Sequence, residues 1–101
     1  MWFLNRKKKL SFNSNQEFYV HVDSLIERLK GLHLIAPAEE MHSILHESAW
    51  TTSSELLGEL RLALVKIRTE HQGQLPPDVE QDIASCVRII EDAWNRANGR
   101  T

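Results

Sequence analysis

The chain has 101 residues, 42% of them apolar and 26% charged, with a formal net charge of −2 and a single cysteine. That length suits one domain with one modest core, and that balance excludes wholesale disorder. A lone thiol excludes an internal disulfide framework, no apolar run is long enough to span a bilayer, and a reducing cytoplasm is the expected setting.

The opening stretch, MWFLNRKKKL, sets Trp2, Phe3 and Leu4 ahead of Arg6, Lys7, Lys8 and Lys9. A secretory signal has the opposite order, with charges preceding a longer apolar run. An apolar toe beside four cations suits weak contact with an anionic membrane surface, each base contributing about 1 kcal/mol at best. A frayed, solubilising tail over residues 1–13 is the plainer reading. From Leu10 onward eight Arg and Lys meet fourteen Asp and Glu, a net of −6. An acidic body argues against nucleic acid as the partner, because phosphate binding needs a basic face.

Four helix-length segments occupy residues 14–101, with no strand alternation. The first spans about 15–30. Ser14 and Glu17 have capping-box spacing, Phe18, Val22, Leu25, Ile26 and Leu29 share one side, and Gly31 is placed as the left-handed stop. The second, about 37–48, begins at Pro37 and turns Ala38, Met41, Ile44 and Leu45 inward. The third, about 53–72, opens on a second capping box, Thr52 with Glu55, and buries Leu56, Leu57, Leu60, Ala63, Leu64 and Ile67. The fourth, about 77–98, starts at Pro77, and its stripe runs through Val79, Ile83, Cys86, Val87, Ile90, Ala93, Trp94 and Ala97. Acids gather in first turns and bases in last turns, as the helix dipole favours. The expected fold is therefore all-α, a small antiparallel four-helix bundle with short loops.

One stretch comes near a chemical signature. Glu39, His42 and His46 fall along one flank of the second helix, and two imidazoles with a carboxylate suit zinc or iron. The fuller motifs are incomplete. A His-Glu-x-x-His zinc site needs glutamate where Ser43 stands, and a di-iron bundle needs a second Glu-x-x-His that the chain lacks. The plainer reading is that His42, His46, His71 and His33 gather at helix C-termini, where a partly positive imidazole meets free carbonyls.

Nothing else assembles into catalytic machinery. No phosphate-cradling glycine loop or Gly-x-Ser-x-Gly elbow is present, and Cys86 falls within an apolar stripe as a small core residue. The third helix carries a second stripe opposite its core side: Gly58, Leu62, Val65 and Thr69, bordered by Glu55, Glu59 and Lys66 and by Arg61 and Arg68. Either neighbouring helices cover that stripe, or it receives a second copy of the chain or another protein, with Trp50 nearby. The expected function is a non-enzymatic protein–protein interaction module. The alternatives are a metal-binding bundle and a membrane-peripheral protein.

Overall fold

A computed structural model describes residues 11–48 and 52–97. Among them stand four α-helices and no strand: α1 (Asn15–Gly31), α2 (Ile35–His42), α3 (Ser53–Glu70) and α4 (Pro77–Ala97). A π-helical turn, Ser43–Glu47, continues α2. The fold is a small all-α domain. The basic tail through Lys9, and Trp50, lie outside the described residues.

Both α1 and α3 start where their caps say they should. The Ser14 hydroxyl accepts from the Glu17 N–H at 3.2 Å, and the Thr52 hydroxyl accepts from the Glu55 N–H at the same distance. Each bond satisfies one of the N–H groups that a helix start leaves unpaired. The first box closes one residue further out than expected, since the Glu17 carboxylate accepts from the N–H of Asn13 at 2.9 Å.

The stop of α1 differs from expectation. Gly31 is the last helical residue, and the left-handed position falls at His33, with φ 67°. The Leu34 N–H bonds the Leu29 carbonyl at 3.0 Å and the His33 N–H bonds the Lys30 carbonyl at 2.9 Å, the paired bonds of a Schellman motif. Leu34 then packs onto the core that holds Leu29. That apolar contact selects the register, and it puts a histidine where glycine would be relaxed. Gly73, in the turn that follows α3, is left-handed as well, with φ 82°, a conformation glycine adopts without strain.

The second segment also departs from a plain α-helix over 37–48. It begins at Ile35, so Pro37 sits within the first turn, where it has no helical N–H bond to lose. From Ser43 it widens into the π turn, and the Ser48 hydroxyl reaches back to the Ser43 carbonyl at 3.1 Å.

One core joins all four helices: Phe18, Val22, Leu25, Ile26 and Leu29 of α1; Ala38 and Met41 of α2 with Ile44 of the π turn; Leu57, Leu60, Ala63, Leu64 and Ile67 of α3; and Val79, Ile83, Cys86, Val87 and Ile90 of α4. Leu45, Leu56 and Ala93 are only partly covered. α3 packs against α4 and also against α2 and the π turn, while α1 packs against α2. Ion pairs stitch the rims, Arg28 to Asp78 at 2.9 Å and Arg61 to Glu91 at 2.9 Å. Such exposed or half-buried rim pairs add little stability and mainly favour one register.

The helix ends generate two expected outcomes. A non-glycine residue in the left-handed region costs about 1–2 kcal/mol, so His33→Gly should raise stability by roughly 1 kcal/mol, read from the urea midpoint. Arg28, by hydrogen bonding, holds the Asp78 carboxyl below its ordinary 3.8. A depressed folded pKa stabilises fully above the unfolded value, and that contribution disappears as the pH falls through the folded one. Asp78→Asn should therefore make the loss of stability shallower below about pH 4, measured by urea denaturation across pH.

Candidate functional site

The π turn decides the fate of the histidine pair. With five residues closing each hydrogen-bonded ring, Glu47 comes back under His42, and His42 Nδ1 lies 3.2 Å from Glu47 Oε2. The Ser43 hydroxyl donates to the other oxygen of Glu47 at 2.7 Å. These partners, Ser43 first, hold the Glu47 carboxyl below its usual range. His46 turns to α1, its Nε2 2.6 Å from Asp23 Oδ1, although the two imidazole rings remain 4.8 Å apart.

Each imidazole thus has its own carboxylate, and the expected set of Glu39, His42 and His46 does not close around a common point. Glu39 shares a shallow recess with Lys30, His42, Ser43 and Glu47, and the Lys30 ammonium pairs with Glu27 at 3.3 Å. Sequence spacing missed Glu47 and Asp23. An α-helical wheel puts Glu47 off the flank, and nothing local announces the partner from α1.

The outer stripe of α3 is divided. Gly58 is not an open groove, because the half-buried Trp94 ring of α4 lies over it; a Cβ at Gly58 would come within 2.9 Å of Trp94 Cζ2. Val65 is partly buried against the core, whereas Leu62 is 57% exposed and Thr69 is also exposed. Of the four positions, Gly58 therefore serves packing, and Leu62 with Thr69 faces solvent.

No protein-family model, curated protein or solved structure matches the chain, so its function is read from its own residues.

A third cluster lies between α1 and α4, and no local pattern around its histidine announces it. His21 Nε2 lies 2.7 Å from Asp82 Oδ1, and the Cys86 thiol donates to the same oxygen at 3.7 Å. Asp82 and Cys86 are one turn apart on α4, so both face α1. Among the described residues, these three are the group whose ligating atoms all lie within 4.8 Å of one another. Burial, and then the Asp82 carboxylate, push the Cys86 thiol up to about 12. A thiol so held is protonated at neutral pH and is no nucleophile on its own. Also among the described residues, no helix is long and apolar enough to cross a membrane.

Gly58 and Trp94 give a test of the divided stripe. Gly58→Ala gains about 1 kcal/mol of helix propensity but must displace the ring, so the two effects should nearly cancel in the parent protein. In a Trp94→Ala background the same change should stabilise by about 1 kcal/mol, a coupling that a double-mutant cycle in urea would measure.

Proposed function

We propose that this chain is a small, non-enzymatic helical protein–protein interaction module, and that it associates with a second copy of itself through the outer face of α3. The observation that carries this reading is Leu62, a large aliphatic side chain 57% exposed in the middle of the helix that packs against both α2 and α4. Val65 and Thr69 extend the same line toward the C-terminal end of α3.

Charge supports a self-pair over an unrelated occupant. Glu59 lies on the N-terminal side of Leu62, and Lys66 and Arg68 lie on the C-terminal side. Two copies of α3 laid antiparallel about a two-fold axis at Leu62 would set the Glu59 of each beside the Lys66 of the other. Lys66 also reaches Glu40 within its own chain at 3.6 Å, but both side chains are about half exposed, and such pairs exchange at little cost. An 18-residue helix is about 27 Å long, so one helix face per copy makes an interface of the small, readily dissociating class.

Light scattering on a size-exclusion column, run over a wide concentration range, tests the reading. The molar mass should climb from monomer toward dimer as concentration rises. Leu62→Glu should abolish the climb while leaving the far-ultraviolet circular dichroism unchanged. Glu59→Lys should weaken association, and adding Lys66→Glu should restore it. A strict monomer at every concentration, or a dimer indifferent to Leu62→Glu, would overturn self-association and turn the search toward a different protein for that face.

A further inference from the structure

The junction of α1 and α4 holds donors that pairing through α3 does not use, so a role for them stands or falls independently of that pairing. We propose that His21, Asp82 and Cys86 form a zinc site. The chemistry of the set is the first support. Imidazole, carboxylate and thiolate are the ligand types zinc takes, and a thiolate with a carboxylate brings two negative charges to a divalent ion.

Geometry is the second support. Zinc–ligand bonds of the usual lengths, arranged tetrahedrally, separate sulfur from oxygen by about 3.5 Å and nitrogen from oxygen by about 3.3 Å. The corresponding separations are 3.7 Å between Cys86 Sγ and Asp82 Oδ1, and 2.7 Å between His21 Nε2 and Asp82 Oδ1. The first edge is nearly in place, and the third, from Cys86 Sγ to His21 Nε2, lies within 4.8 Å and closes toward the roughly 3.5 Å of a tetrahedral site when an ion draws the imidazole in. The second is short because a hydrogen bond occupies it, and it opens by roughly half an ångström when an ion replaces that proton.

The scaffold is the third. α4 supplies two donors one turn apart on a single rigid element, and Cys86 is wholly buried beside Val87 and Ile90. α1 supplies His21 next to the buried Val22. The Phe12 ring lies 5.3 Å from the imidazole, centroid to centroid, and limits how His21 can turn. The side chains of His21 and Asp82 are 26% and 28% exposed, which leaves one side open to solvent. Three protein ligands and a water in the fourth position make the open type of zinc coordination. On binding, the Cys86 thiol gives its proton to solvent, and the proton between His21 Nε2 and Asp82 leaves as well, to solvent from an imidazolium or by exchange to Nδ1 in the neutral ring, so that sulfur, nitrogen and oxygen each offer a lone pair to the ion.

Cobalt(II), then zinc, titrated into the metal-free full chain provides the test. One equivalent of cobalt should bind and produce a thiolate-to-cobalt charge-transfer band, which zinc then displaces. Cys86→Ala should remove the band, and His21→Gln and Asp82→Asn should each weaken binding at least tenfold, with circular dichroism reporting that each variant is folded. His42→Ala and His46→Ala should bind as the parent does. A parent protein without the charge-transfer band, a band that survives Cys86→Ala, or binding lost instead with His42 or His46 would overturn the assignment. The parent spectrum stands as a test even if a core variant fails to fold.

Discussion

Leu60 and Leu64 of α3 are fully excluded from solvent, and covering them is the constraint around which the domain is arranged. α4 lies along one side of α3, while α2 and its π turn lie along another. Removing a leucine of this kind from water is worth about 2–3 kcal/mol, more than any of the exposed ion pairs at the rims contributes. The polar contacts therefore adapt to the packing. Arg61 reaches Glu91 because α3 and α4 already lie together, and His21 reaches Asp82 because Val22 and Ile83 are already buried.

That order of priority explains how the histidines are distributed. His42 and His46 look like a pair on an ideal helix, yet the π turn gives one of them Glu47 and sends the other to Asp23. His33 takes a left-handed backbone because Leu34 must return to the core soon after α1 ends. His21 is drawn into a part-buried cluster with Asp82 and Cys86. The histidine that meets a thiol is the one whose neighbours in sequence carry no warning, since its partners come from the far end of the chain.

Much of the secondary structure was legible because its causes are local. Ser14 and Thr52 cap the helices they precede, Pro77 opens α4, and Gly73 takes the left-handed turn. The five residues expected on the inner side of α1, Phe18, Val22, Leu25, Ile26 and Leu29, are all buried, while Val20, off that period, is exposed. The errors fell where a local signal competed with a distant contact. Gly31 is a good helix stop taken alone, but the contact of Leu34 with the core moves the left-handed position beyond it. Gly58 reads as a groove until Trp94 is laid across it.

By itself, then, the sequence determined an all-α domain, the starts of its long helices, and most of the side chains that avoid water, because caps, proline and apolar period act within a turn or two. Tertiary structure alone decided which polar residues of different helices meet. The π turn, the division of the α3 face into a covered glycine and an exposed Leu62, and the convergence of His21 on Asp82 and Cys86 all depend on how whole helices fill one core. A linear pattern carries no record of that distance.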